Sequence, residues 1–294
     1  GSWLYPMGDD KISLGFVVGL DYADATLSVH DLLQDFKTHP LIKGILDGGK
    51  RVAWGAKTIP GGGLYGLPGR LHVPGAVFVG DSAGFVDMAA LKGVNYAIQS
   101  GMIAAEAIYE ALKAQKATQP AGLWGYDKRI KDSSLWKDLW KVRNIRPGFQ
   151  RGMIVGGMVH GMATASMGRF PKELKPIRDA KEPVFIGGKE YTKPDGQLTF
   201  DKLSSVFASG NKTRDDQPNH IRIQKVVPKE LAVAWESMCP AKVYEIPEDQ
   251  PANPAGMVTV HLNPSNCVQC GAITAKGGRL TPPEGGSGPE YTLT

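Results

Sequence analysis

The chain has three cysteines, and their placement is its first chemical signal. Cys239 is followed by Pro240, and Cys267 and Cys270 form a C-x-x-C pair 28 residues further on. Such a pair with a remote third thiol can ligate zinc or an iron–sulfur cluster. Proline after a ligating cysteine rigidifies the turn that presents the sulfur. A structural zinc site asks for a fourth Cys or His at defined spacing. His261, six residues before Cys267, is the nearest and an awkward candidate. A thiol–disulfide motif belongs at a helix start after a strand, whereas Gly, Pro and Asn surround this pair. Spacing alone leaves cluster, zinc and unliganded or redox thiols open. Three cysteines are too few, and odd in number, for a disulfide framework.

A second constellation lies in AVFVGDSAGFVDMAALKGVNYAIQSGMIAAEAIYEAL, residues 76–112. An apolar strand is expected to end at Gly80-Asp81, with a small-residue turn leading into a helix. Gly80, Ala83 and Gly84 let backbone approach a ligand, the helix N-terminus offers free N–H groups, and Asp81 can accept hydrogen bonds from a sugar or ribityl hydroxyl. The ordinary alternative is a strand–helix turn capped by Asp81 or Ser82. The same residues also match the G-x-S-x-G nucleophile elbow, which makes Ser82 a candidate hydrolase nucleophile with His160, His220 or His261 as its base. None of these histidines sits in a convincing loop motif. Gly61 to Gly66 formally fits G-x-G-x-x-G, but Leu67-Pro68-Gly69 follows where a dinucleotide fingerprint needs a helix, so a glycine-rich loop is expected.

Residues 152–168, GMIVGGMVHGMATASMG, carry no formal charge and contain four Met and five Gly. They fall short of a membrane span. Lys141, Arg143, Arg146 and Arg151 precede them, and Arg169, Lys172, Lys175 and Arg178 follow. An apolar segment ringed by cations suits a helix resting in one leaflet; the alternative is a core helix packed through small residues. His160 in its middle is expected to be a satisfied buried histidine or, less often, a contact for a polar head group.

The elements that position these groups follow from periodicity and breakers. ISLGFVVG (12–19) is expected as a buried strand, and 30–46 as helix with a break at Pro40. Residues 49–60 and 71–79 are expected as strands, a long helix as running on from GDSAGF (80–85) to about Lys116, 115–122 as a linker, and 126–142 as another helix. Residues 171–194 are expected as loop, and strands and turns after Leu203. The composition shift at 170–195 marks a domain boundary. The 294 residues carry 42% hydrophobic and 21% charged residues with a net charge of +5. That suffices for a sizeable core and excludes a disordered chain; it is too weakly basic to argue for nucleic acid. No signal peptide is evident, and the opening Gly-Ser-Trp suggests a processed or partial polypeptide.

Taken together, LGFVVGLDY (14–22), GGKRVAWGAKTIPGGG (48–63), GDSAGF (80–85), LKGVNYAIQSGMIAAEAI (91–108), RNIRPGF (143–149), YTKPDGQLTFDKLSSVFASG (191–210), DDQPNHI (215–221), CPAKVYE (239–245), NCVQC (266–270) and PPEGGSGPEY (282–291) resemble the electron-transfer flavoprotein–ubiquinone oxidoreductase family, over roughly its C-terminal half. The resemblance implies a mixed α/β fold: the C-terminal part of a glutathione-reductase-like FAD domain joined to a small ferredoxin-like iron–sulfur domain. It implies FAD- and quinone-binding parts within 1–150, a membrane-associating segment and linker over 151–190, and a [4Fe–4S] domain over 191–294. Electrons would arrive from reduced electron-transfer flavoprotein and leave to ubiquinone or menaquinone. The enzyme would sit on a membrane surface, mitochondrial inner or bacterial plasma. Gly80, Asp81, Ser82, Ala83 and Gly84 would face the FAD, with Gly93, Val94 and Asn95 near the isoalloxazine. Residues 152–168 would form the membrane-facing quinone surface, and Cys239, Cys267 and Cys270 would be cluster ligands.

There are two departures. The family's G-x-G-x-x-G turn and N-terminal half are absent from this stretch, which requires them in the same or another chain. The family's C-x2-C-x2-C also places its last ligand on Ile273, which cannot bind iron.

Overall fold

A computed structural model describes residues 1–115, 123–178, 183–214, 216, 218–249 and 251–280. In chain order the elements are β1 (Ser2–Pro6), β2 (Ile12–Phe16), α1 (Val29–Thr38), α2 (Pro40–Leu46), β3 (His72–Val73), β4 (Ala76–Val77), α3 (Gly80–Ala83), α4 (Val94–Lys113), α5 (Trp124–Asp132), α6 (Ser134–Val142), α7 (Ile145–Phe149), α8 (Met153–Ala165), α9 (Lys202–Ala208), β5 (Ile221–Arg222), β6 (Val226–Pro228), α10 (Lys229–Met238), β7 (Tyr244–Glu245), β8 (Met257–Thr259), β9 (His261–Leu262) and β10 (Arg279–Leu280). The architecture is mixed α/β. The described strands pair antiparallel in twos: β1 with β2, β3 with β4, β5 with β10, β6 with β8 and β7 with β9.

The chain divides into two compact units. One joins residues 1–58 to the residues from 178 onward, and the other spans 59–177. The expected composition shift at 170–195 contains one crossing. The other, at Thr58–Ile59, has no compositional mark, so the contacts do not follow a linear division at 150 and 190.

In the first unit, Ser28 caps α1 by accepting the Asp31 N–H, and Pro40 opens α2, so the helix breaks where proline predicts. The core gathers Trp235, Val243, Tyr244, Val258 and Val260 around α10. Leu231, Ala234, Trp235 and Met238 recur at helical spacing on α10, a signal submerged in the Pro- and Gly-rich surroundings where strands were expected. Two further expectations fail. β2 lies in a half-exposed hairpin with β1 and is not a buried strand. Residues 49–58 form no strand.

In the second unit, Phe85, Tyr126, Ile130, Leu135 and Leu139 are fully buried and bring α4, α5 and α6 together. The Tyr126 hydroxyl donates to the Phe78 carbonyl at 2.7 Å. Asp127 accepts the Leu71 N–H and pairs with His72. The helix expected over 126–142 is two helices, because Ser133 turns away and caps α6 through the Trp136 N–H. The linker expected over 115–122 lies, after Gln115, outside the described residues.

Candidate functional site

The three cysteines come together in the first unit. α10 stops at Met238, since a residue before proline is disfavoured in helical conformation, and Cys239 leaves it extended at φ −69, ψ 118. Lys242, at φ +50, turns the chain back, and the Val243 N–H reaches the Cys239 Sγ at 3.4 Å. Cys267 follows a short turn over Pro264–Asn266. Gln269, at φ +49, donates its N–H to the Cys267 Sγ at 3.4 Å. Residues 57 and 58 strap this loop. Thr58 gives both its N–H (2.9 Å) and its hydroxyl (2.7 Å) to the Cys270 carbonyl, and Lys57 donates to the Gln269 carbonyl at 3.2 Å. Gly271 sits at φ +82 with Thr58 Oγ1 only 2.9 Å from where a Cβ would be, so the turn needs glycine. Asn211 donates to the Cys267 carbonyl, and Lys202 donates to the last carbonyls of α10, Glu236 and Ser237, at 2.9 and 3.1 Å.

Cys239, Cys267 and Cys270 line one apolar cavity together with Trp235, Tyr244 and Ile273. Cys239 and Cys267 are each 7% exposed. Burial, first of all, pushes the Cys239 thiol up, Cys267 up to about 11 and Cys270 up to about 12, against the opposing pull of backbone N–H groups at each sulfur. Burial and then the three thiols raise the Tyr244 hydroxyl as well. Reactive redox cysteines have lowered values, so this environment is wrong for a thiol–disulfide pair. It suits thiolates stabilised by iron, whose positive charge reverses the local electrostatics. Zinc draws its thiolates to within roughly 4 Å of one another, given bonds of about 2.3 Å. Among the described residues, no three His, Cys, Asp or Glu side chains come close enough to hold one metal ion. Thiols spread around a cavity fit a multinuclear cluster. His261 lies on β9, exposed and outside the cavity lining, which removes it as a ligand.

The turn at Gly80 is built differently from the expected strand–turn–helix. Strand β4 ends at Val77, Gly80 to Ala83 is itself one helical turn, and α4 starts only at Val94. The strained elbow that a hydrolase nucleophile needs is therefore missing around Ser82. Gly80 (φ +53) and Gly84 (φ +91) supply left-handed backbone, while Ala83 packs inward at 2% exposure. The Gly80 N–H donates to Ser100 Oγ at 2.9 Å, docking the turn on α4. Asp87 accepts the Ala89 and Ala90 N–H groups, and its backbone pairs with that of Lys92. This loop returns Gly93, Val94 and Asn95 to the turn. A Cβ on Gly93 would stand 3.0 Å from Asp81 Oδ1. Asp81, Ser82, Val94 and Asn95 are exposed side by side, whereas Gly80, Ala83 and Gly84 are buried scaffold. The Asp81 carboxylate already faces the start of α4, so this surface suits a donor hydroxyl better than a phosphate.

The apolar stretch folds as α8. Gly156, Val159 and Ala163 are its buried side, and Gly156 packs so tightly on Phe149 that a Cβ would lie 2.3 Å from the ring. Met153 and Ile154 are each 79% exposed, and Met158, Met162 and Met167 are exposed too. His160 is exposed, neither buried nor satisfied in a core. Arg151, Arg169, Lys172 and Lys175 are exposed around this face. Arg143 is not: its guanidinium is buried and donates to the carbonyls of Trp140, Gly168 and Lys172. Together with Asn144, which donates to the Pro171 carbonyl and accepts from Tyr65 and Leu174, it anchors the segment after α8. No described helix is long and apolar enough to cross a membrane.

Sequence reasoning missed the strap of Lys57 and Thr58, and it missed Lys202, Asn211 and Tyr244. Only Tyr244 had a local signal, three residues after the Pro-Ala pair that follows Cys239.

Comparison with known proteins bears on both units. A family model described as ETF-QO, ubiquinone-binding, matches residues 1–59, and one described as electron transfer flavoprotein-ubiquinone oxidoreductase, 4Fe-4S, matches residues 196–292. The chain is 37% identical to the mitochondrial electron transfer flavoprotein-ubiquinone oxidoreductase of Caenorhabditis elegans, covering 99% of this chain and 52% of the relative. It is 36% identical to that of Arabidopsis thaliana, covering 100% and 47%, and 37% identical to that of Rattus norvegicus, covering 99% and 50%. With two of its domain models matched in order and similarity running along nearly the whole sequence, the chain belongs to the electron transfer flavoprotein–ubiquinone oxidoreductase family and spans about half the length of the curated relatives it matches.

Proposed function

We propose that this chain is the cluster-bearing, membrane-facing part of an oxidoreductase that takes electrons from reduced electron-transfer flavoprotein and delivers them to ubiquinone, with FAD and an iron–sulfur cluster as its carriers. The observation that carries this reading is the meeting of Cys239, Cys267 and Cys270 on one apolar, largely buried cavity with backbone N–H groups aimed at the sulfurs. Cluster chemistry is one-electron transfer without proton-transfer groups, and its potential is set by burial and by hydrogen bonds to the sulfurs. This chain's residues would hold that carrier, keep water from it and orient it. Asp81, Ser82 and Asn95 would contact the FAD ribityl region or the ring edge. The remaining FAD contacts would come from the N-terminal half that this stretch does not contain. The exposed face of α8 would rest in one leaflet, with Arg151, Arg169, Lys172 and Lys175 at lipid phosphates. Residues 1–59, which the ubiquinone-binding family model matches, would contribute to the quinone site.

Anaerobic reconstitution with ferrous iron and sulfide, followed by an absorption spectrum, tests the central claim. The wild-type chain should show a broad band near 400 nm that bleaches on reduction (an approximate position, about that of iron–sulfur clusters generally). Cys239→Ala, Cys267→Ala and Cys270→Ala should each lose most of that band. A colourless chain holding stoichiometric zinc would sink the proposal.

A further inference from the structure

A [4Fe–4S] cluster is ordinarily held by four thiolates, and this chain has three cysteines. Ile273 lines the same cavity as Cys239, Cys267 and Cys270. It stands in the short helical turn Ala272–Lys276, directly after the C-x-x-C loop, and is 5% exposed. Its position is fixed from behind. A Cβ on Gly278 would meet the Ile273 side chain at 2.0 Å, the Gly278 N–H donates to the Ile273 carbonyl at 3.1 Å, and Trp235 Nε1 donates to the Lys276 carbonyl at 2.9 Å. The turn is therefore built to present residue 273 to the cavity, and what it presents is an aliphatic side chain. Among the described residues, the cavity lining contains no Asp, Glu or His, and Tyr244 supplies its one side-chain oxygen.

Resting on the cluster reading above, we propose that the cluster is held through three protein thiolates only, with Ile273 occupying the fourth corner. One iron then carries a non-protein ligand, a hydroxide or a small thiol, and is the iron that leaves on oxidation. Ferricyanide would take one electron from the [4Fe–4S]2+ core as that iron departs as Fe2+, leaving [3Fe–4S]+ on Cys239, Cys267 and Cys270; ferrocyanide is the reduced product. Added Fe2+ and a reductant reverse the step.

The test uses the full chain, reconstituted anaerobically, then treated with ferricyanide and a chelator. Iron and sulfide are assayed and the electron paramagnetic resonance spectrum is recorded. Wild type should fall to about three iron per four sulfide, display the signal of an oxidised three-iron cluster, and regain about one iron per cluster with Fe2+ and dithionite. Ile273→Cys should keep about four iron per four sulfide through the same treatment and lack that signal. Tyr244→Phe should behave as wild type. Retention of all the iron by oxidised wild type overturns the proposal, and so does iron loss that appears only in Tyr244→Phe, which would make the phenol the fourth ligand. The wild-type measurement decides the matter even if Ile273→Cys does not fold. Absence of any iron and sulfide in wild type overturns the cluster reading itself, a result distinct from a four-iron cluster that survives oxidation.

Discussion

Lys37 shows how a single side chain records its surroundings. Its ammonium lies 4.9 Å from the Phe200 ring, and the Arg51 guanidinium lies 3.8 Å from the same ring. Burial, and then the Arg51 charge, bring Lys37 down to about 8, with Asp195 pulling weakly the other way. The sign follows. Between about 8 and the ordinary lysine value of 10.5 the unfolded chain still holds a proton that the folded chain has released, so stability rises with pH across that window. The urea midpoint of wild type should increase on moving from about pH 7.5 to about pH 10, relative to Lys37→Met measured in parallel, which removes the contribution of other titrating groups. Equal shifts in the two proteins would refute the assignment. At this scale the sequence announced the thiols, because their type and spacing are chemical facts in themselves. It could not announce that Thr58 and Lys57 hold the Cys270 loop, since those bonds close over 212 residues and leave no local pattern. Nor could spacing show that residue 273 faces the cavity, which depends on the turn that Gly271 and Gly278 permit.

Helices were legible where a breaker falls in a helical pattern, as at Pro40, and misread where tertiary contacts decide. Residues 49–58 have strand-like composition but spend their backbone groups on a strap, and β2 finds only β1 as a partner. In α8 the sequence offered a leaflet helix or a small-residue core helix; the structure packs Gly156, Val159 and Ala163 inward and leaves Met153, Ile154 and Met158 exposed. Its glycines are not equivalent. A Cβ on Gly156 would lie 2.3 Å from the Phe149 ring and 2.8 Å from its Cα, so backbone has to move. Gly157 has nothing within 4 Å. Gly156→Ala should therefore destabilise by about 1–3 kcal/mol through overpacking of α7 on α8. Gly157→Ala should stabilise by roughly 0.5–1 kcal/mol, as alanine does for glycine in a helix interior. Denaturant unfolding of the two variants checks the contrast, and an equal response would mean that the two helices do not pack as described.

At the scale of the whole chain, the proposed membrane contact rests on apolar exposure and charge together. The net charge of +5 is modest, but Arg151, Arg169, Lys172 and Lys175 are exposed around a helix whose outward side chains are methionine and isoleucine. A scattered apolar residue on a surface needs no explanation, whereas a contiguous face rimmed by cations does. Leaflet binding would then have two parts with different signatures. Electrostatic attraction to anionic lipid weakens as the Debye length shortens from about 10 Å at 0.1 M salt to about 3 Å at 1 M. Insertion of Met153 and Ile154 does not, and each contributes roughly 1.5–3 kcal/mol when fully buried. Sedimentation with phosphatidylserine-containing vesicles separates the two. Wild type should bind at low salt and keep a measurable fraction at high salt. The Met153→Glu, Ile154→Glu double variant replaces two side chains that are each 79% exposed, so folding should be untouched and the circular dichroism spectrum unchanged. It loses on the order of 3 kcal/mol or more of insertion energy, which is at least a hundredfold in partitioning. Its binding should fall to background at high salt. If the double variant sediments with vesicles as wild type does, α8 is not the membrane contact, and its exposed face must be covered by protein.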